Sequence, residues 1–273
     1  MLTLKHCRSA GFKAQKLNRM ITVDNSTKVH SRSSSPAFGN AMLQAVPSSE
    51  VYLMDCIQGM KHYPDKWFDL AVVDVPYGID EANGKNASRN KGFGKGNTKS
   101  KKITFSKDYG IKQWDKEPPS AEYFTELFRV SKNQIIWGAN HFISRIPYDS
   151  SCWLVWDKDN GESDFADCEL AWTSFKKAVR KYKFRWNGLL QEDMKNKETR
   201  IHPTQKPVGL YDWIFKRFAE AGMKVLDTHL GSQSSRISAN KYQLNFVGFE
   251  TDEEYFNKGN KRYDDFVSQT RLF

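Results

Sequence analysis

The sequence predicts an α/β fold: a mostly parallel central sheet with helices packed on both of its faces. Two observations carry the prediction. Short apolar runs of strand length alternate with longer segments that read as helices, from about residue 51 onward. That alternation builds parallel sheets through crossover helices. Several of the apolar runs also stop at a carboxylate, namely Asp74, Asp227 and Glu250, with Asp55 a fourth. In open α/β sheets, ligands bind beyond the carboxyl ends of the strands.

The elements follow in order. Residues 1–48 show no apolar periodicity and include Ser31-Arg32-Ser33-Ser34-Ser35-Pro36. They are expected to form a basic, disordered N-terminal segment, with one domain over 49–273. Val51-Tyr52-Leu53-Met54 reads as a strand ending at Asp55, and a short helix follows. Phe68-Asp69-Leu70-Ala71-Val72-Val73 is a buried strand by its apolar run, and it ends at Asp74. Residues 82–113 interrupt the pattern. From Ala82 to Lys107 this stretch carries only basic charges, so it reads as a long inserted loop, either functional or disordered. Pro118-Pro119-Ser120 opens a helix that runs to about Val130. Gln134 to Trp137, Cys152 to Trp156 and Leu170 to Thr173 are three further strands, followed by a basic aromatic stretch from Lys176 to Trp186. A helix is expected from Val208 to Ala219, then a strand, Lys224-Val225-Leu226, ending at Asp227. Another helix starts near Ser234, and Asn245 to Phe249 is a strand ending at Glu250. Asp252 is placed to cap the last helix. There is no internal repeat.

Composition narrows the function classes. The net charge of +10 and the pI of about 9.3 favour a polyanionic partner, most simply nucleic acid. The four cysteines, Cys7, Cys56, Cys152 and Cys168, form no C-x-x-C pair and have no nearby His cluster with zinc spacing; they read as reduced thiols, with no metal site expected. No apolar run approaches the ~18 residues a membrane span needs. Residues 1–23 lack an apolar signal core, and a dispensable basic tail is preferred to a transit peptide there. A cytoplasmic protein is expected.

Two stretches carry chemistry. Asp227-Thr228-His229-Leu230-Gly231-Ser232 lies between a strand and a helix. Gly231 permits a tight turn and close approach of a ligand to the backbone, and the helix start behind it supplies free N–H groups. Glu250 follows 19 residues after Gly231 at the next strand end, a spacing that suits a carboxylate on ribose hydroxyls. The plain alternative is a strand–turn–helix connection with no ligand. The second stretch is Asp74-Val75-Pro76-Tyr77. The Asp74 carboxylate and the Val75 carbonyl offer two acceptors, Pro76 stiffens the backbone, and Tyr77 offers a flat face. Two acceptors beside an aromatic ring suit a flat ring bearing an amino group; the plain alternative is a surface turn. Two further patterns are set aside. The glycine- and lysine-rich run from Gly92 lacks the spacing of a phosphate loop. Asp157, Asp164, Asp167 and Glu169 are read as surface acids around a turn at Asn160-Gly161 rather than as metal ligands.

The joint pattern resembles the amino-methyltransferases of DNA, in the permuted arrangement where the catalytic tetrapeptide precedes the cofactor loop. The resemblance spans roughly Val51 to Tyr263. Asp74, Pro76 and Tyr77 match the family signature [D/N/S]-P-P-[Y/F/W]. Asp227, Gly231 and Ser232 match D-P-F-x-G-S-G, and His202 to Pro207 match H-P-T-x-K-P in full. Val75 departs from the first proline, Thr228-His229 from Pro-Phe, and Gln233 from the last glycine. The run from Ser131 to Gly188 resembles that of phage and prophage methylases.

The resemblance implies a Rossmann-like S-adenosylmethionine-dependent methyltransferase fold and an enzyme that flips an adenine out of double-stranded DNA and methylates its N6. Asp74 and the Val75 carbonyl would hold the amino group, with Pro76 shaping the turn and Tyr77 stacking on the base. Asp227, His229, Gly231 and Ser232 would form the cofactor loop. Glu250 would hold the ribose and Asp55 the cofactor's adenine, with Thr204 and Lys206 shaping the cofactor pocket from the other side. For Lys206 a solvated loop lysine is an equal alternative. Asp in first place leans toward adenine. The rivals are N4-cytosine methylation and an inert nucleic-acid-binding scaffold. Residues 82–113 and 176–200 are the candidate DNA contacts, and a homodimer is left open.

Overall fold

The computed structural model describes residues 47–79, 117–161, 166–187 and 190–270. The expected disordered segment 1–48, save its last two residues, and the basic loop 82–113 lie outside them, as do Asp164 and Cys7. Eight strands form one sheet. In chain order these are β1 (Ser49–Leu53), β2 (Phe68–Asp74), β3 (Ser131–Trp137), β4 (Leu154–Asp157), β5 (Cys168–Thr173), β6 (Arg180–Lys183), β9 (Lys224–Asp227) and β10 (Asn245–Glu250). A separate two-stranded ribbon pairs β7 (Trp186–Asn187) with β8 (Leu190–Gln191). Across the large sheet the order is β1-β10-β9-β2-β3-β5-β4-β6. Only β5 runs against the others.

The central strands are buried on both faces, and their alternation sorts side chains into two cores. Leu70 and Val72 of β2, Ile135 and Trp137 of β3, Val225 of β9 and Phe246 of β10 face one core. That core is closed by α3 (Val208–Phe218) and α4 (Ser234–Lys241). Ala71, Val73, Ile136, Leu226 and Phe249 face the other, closed by α1 (Cys56–Met60) and α2 (Ala121–Val130). In α2 the buried residues Tyr123, Phe124, Leu127 and Val130 recur at helical spacing. Its first turn is capped by Ser120, whose hydroxyl accepts from Tyr123 N at 3.3 Å. The last helix, α5 (Glu253–Thr270), is capped by Asp252, whose Oδ1 accepts from Glu254 N and Tyr255 N.

The connections set the position of the site. After β2 the chain crosses through α2 to β3 on one side. After β9 it crosses through α4 to β10 on the other side. The carboxyl ends of β2 and β9, which are hydrogen-bonded neighbours, therefore flank a topological switch point, the place where open α/β sheets bind their ligands. Among the described residues, no helix is long and apolar enough to cross a membrane.

Candidate active site

The four acid-ended strands are consecutive in the sheet, in the order β2, β9, β10, β1. Pairing of Ala71 with Leu226, of Gly248 with Asp227 and of Leu53 with Glu250 fixes their heights. Carried on in register, Asp74 and Glu250 come level with His229, and Asp55 follows two residues beyond its strand partner.

Asp74 is the centre of a charged cluster. Its Oδ1 lies 2.5 Å from Lys206 Nζ and accepts from the Tyr77 hydroxyl at 2.9 Å. Lys206 Nζ also donates to Tyr77 Oη at 3.0 Å and pairs with Glu169 Oε2 at 3.0 Å. Lys158 Nζ holds the other Glu169 oxygen, Oε1, at 2.6 Å. Lys206 is buried, its side chain 4% exposed, so it is not the solvated loop lysine of the alternative reading. It is sited on the D-x-P-Y turn, with its ammonium also over the Trp137 ring. Burial pushes the Asp74 carboxyl up, against the pull of Lys206. Burial would raise Glu169 as well, but Lys206 and Lys158 outweigh it and hold that carboxyl at about 2. Of the two carboxylates sharing one ammonium, Asp74 therefore takes up a proton first.

Glu169 corrects the expectation that it is a surface acid. It stands at the second position of β5, beside the cluster. Antiparallel pairing of β5 with β3 puts Ala171 opposite Trp137, itself the partner of Asp74. Asp157, in contrast, does pair at the surface, with Lys181 at 2.7 Å. Among the described residues, no group of His, Cys, Asp and Glu is arranged to hold a metal ion.

Val75 is buried, and Pro76 is half-buried. The Tyr77 ring stacks on the exposed His141 ring, centroids 5.1 Å apart at 16°. Its edge lies against Gly138, where an added Cβ would come within 2.0 Å of the ring; Gly138 also has φ +69°. That position accepts glycine alone on both counts.

The 227–235 turn is built differently from the sequence expectation. Asp227 is buried, and its carboxylate is spent inside the turn. Oδ2 accepts from Ser235 Oγ at 2.5 Å and Oδ1 from His229 N at 3.1 Å. Burial raises its pKa to about 7. Gly231, at φ +46°, donates its N–H to Glu250 Oε2 at 2.8 Å and lies under the His202 ring. Glu250 Oε1 accepts from Thr251 N and Asp252 N. Ser232 is buried and points at Ser234, with Arg262 on its carbonyl. Gln233 stands in left-handed backbone at φ +59°, a conformation that costs a non-glycine residue about 1–2 kcal/mol. Its amide is fixed by Asn260 and by Arg236.

His229 belongs to a hydroxyl chain that sequence reading missed. The Tyr123 hydroxyl lies 2.7 Å from Thr228 Oγ1, which lies 2.9 Å from His229 Nδ1. Tyr123 is buried and must donate its hydrogen. Thr228 and His229 Nδ1 share the next hydrogen bond, whose donor is set by the ring's tautomer. Burial lowers the His229 pKa to about 4. Asp55 caps α1, accepting from Gln58 N at 2.9 Å. Thr204 bonds to His202 Nδ1 within its own loop. That loop is the tie between the two halves of the site. His202 packs on Gly231 and Tyr255 at one end, and Lys206 meets Asp74 at the other.

Known proteins point along the same lines. A family model described as DNA methylase, covering the N6 and N4 enzymes, matches residues 132–261. The type II methyltransferase M2.MboI of Moraxella bovis is 24% identical over 259 residues, covering 78% of this chain and 86% of that protein. M2.DpnII of Streptococcus pneumoniae is 29% identical over 158 residues, covering 55% of this chain and 49% of that one. Among solved structures, a putative DNA modification methylase from Thermus thermophilus superposes with a TM-score of 0.51 at 14% identity. It covers 80% of this chain and 95% of that one, which is likeness of fold.

Proposed function

The chain belongs to the DNA amino-methyltransferase family, and from that premise we propose that it transfers a methyl group from S-adenosylmethionine to the N6 of adenine in double-stranded DNA. The observation that carries this reading is the adjacency of β2 and β9. It brings the Asp74 turn and the Gly231 turn side by side at the switch point of the sheet. The relatives are type II methyltransferases, which supports a place in DNA modification.

The residues on the β9–β10–β1 side fit S-adenosylmethionine. Glu250 Oε2 holds one N–H and keeps a lone pair, enough to accept from a ribose hydroxyl. Asp55 Oδ2 receives nothing from any described residue and suits an amino group. The tight Gly231 turn lets a ligand approach the backbone. Asp227 and Ser232 act by shaping that turn, His229 walls it, and Thr204 shapes the facing loop through His202. S-adenosylmethionine, when bound, supplies a methyl group activated by its sulfonium.

On the β2 side, Asp74 and the Val75 carbonyl accept the two N–H bonds of the amino group. They draw the nitrogen lone pair out of ring conjugation and build negative potential at the nucleophile. Tyr77 stacks on the flipped base, and the exposed His141 gives way to admit it. Pro76 keeps the turn stiff. Catalysis is positioning plus preorganised electrostatics. The first-place Asp favours adenine over cytosine. The test is to treat duplex DNA with enzyme and S-adenosylmethionine, digest it to nucleosides and weigh them. N6-methyldeoxyadenosine is expected. N4-methyldeoxycytidine overturns the base assignment, and no methylated nucleoside overturns the enzyme.

A further inference from the structure

Asp74 carries a burden that its role does not obviously tolerate. A carboxylate that must accept from an amino group is already bound at one oxygen by a buried ammonium 2.5 Å away. An ammonium that close weakens an acceptor, because it draws off the charge the incoming donor would use. Two features of the cluster offset this. Lys206 and Tyr77 both bind Oδ1, and Oδ2 receives no bond from any described residue. Lys206 is also shared, because Glu169 takes it at 3.0 Å while Lys158 steadies the far side of Glu169 at 2.6 Å. The four charges sum to zero.

We propose that Glu169, with Lys158 behind it, is a positioning residue of the methyl-transfer site. It divides the Lys206 ammonium with Asp74, so that the carboxylate is held in place yet remains a strong acceptor at Oδ2. Lys206 alone would anchor Asp74 and quench it; Glu169 alone would leave two like charges side by side. The groups facing Asp74 are Lys206 from the loop before α3, Glu169 from β5, Tyr77 on its own turn, and Tyr211 and Asp227, each coupled to it electrostatically. Among the described residues, Glu169 and Lys158 are the charged groups that alter the share of Lys206 without bonding to Asp74. The antiparallel turn of β5 is what delivers Glu169 to this end of the sheet.

The inference rests on the reading of Asp74 given above, so its test includes a measurement that needs no turnover. The full-length protein is labelled with carboxyl-13C aspartate, and the Asp74 resonance is identified by its loss in D74N. Its titration midpoint is then followed in E169Q and K158M. E169Q removes a negative neighbour and frees Lys206 for Asp74, so the midpoint moves down. K158M leaves the charge of Glu169 uncompensated on its far side, so Glu169 takes more of Lys206 and the midpoint moves up. In methyl transfer to duplex DNA, the acid limb of kcat shifts in the same two directions. The kcat plateau of E169Q falls about 10-fold, less than the ~100-fold of losing a direct contact, with KM for S-adenosylmethionine unchanged. E169D, which keeps the charge, restores most of that loss. A merely structural Glu169 would move stability in both variants and leave the Asp74 midpoint in place; that result overturns the inference. Shifted midpoints without any methyl transfer would instead overturn the enzyme reading and leave the charge sharing standing.

Discussion

Asp74 shows how much one side chain is asked to do. Its Asp74→Ala variant is expected to lose methyl transfer by about 1,000-fold while binding S-adenosylmethionine as the parent does, measured by calorimetry. Gly138 was invisible as a site residue because nothing in its neighbours marks it. Gly138→Ala puts a Cβ within 2.0 Å of the Tyr77 ring, at φ +69°. The strain alone costs about 1–3 kcal/mol. The variant is expected to denature at lower urea and to lose base stacking, read with 2-aminopurine at the target position. His229 gives a pH signature. Burial lowers its pKa from 6.5 to about 4, so over that window the unfolded chain binds more protons than the folded one. Stability is therefore lost as pH falls from about 6.5 toward 4. His229→Phe removes this part, and its urea midpoint should fall less than the parent's between pH 7 and pH 4.5.

At the scale of elements, the apolar runs and caps were legible because they act locally. Pro118-Pro119-Ser120 announces α2, and the structure caps it there. Ser120→Ala is expected to cost about 1 kcal/mol in equilibrium urea unfolding, with the site unaltered. Boundaries moved by two or three residues where pairing decided them: β1 begins at Ser49 because β10 offers Phe246 as its partner, and β3 begins at Ser131 opposite Phe68. The basic stretch after β5 is the instructive case. Its basic charge makes it a candidate DNA contact, yet Lys181 pairs with Asp157 and both Lys183 and Arg185 pair with Asp159. Parallel pairing of β6 with β4 sets those charges face to face. Lys176 and Arg180 have no ion pair among the described residues, which narrows the candidate DNA contact there.

For the whole molecule, the charge of +10 predicts DNA affinity that falls steeply with salt, since each neutralised phosphate adds about 0.9 to the slope of log K against log salt. The double variant K176E/R180E is expected to lower that slope by about 1–2 in a fluorescence titration; an unchanged slope removes Lys176 and Arg180 from the interface. The sequence by itself determined the alternation of strands and helices, the acids at four strand ends, and the D-x-P-Y, Gly231 and H-P-T-Q-K-P segments. Each is a local pattern of period, cap or turn that short-range physics enforces. Tertiary structure alone decided that β2 and β9 are neighbours, that Lys206 bridges Asp74 of β2 and Glu169 of β5, and that Glu169 and Tyr123 belong to the site. Residues 92 and 105 positions from their partners are joined by sheet order and by the direction of β5. Such contacts depend on how the elements pack against each other, which no window along the chain records.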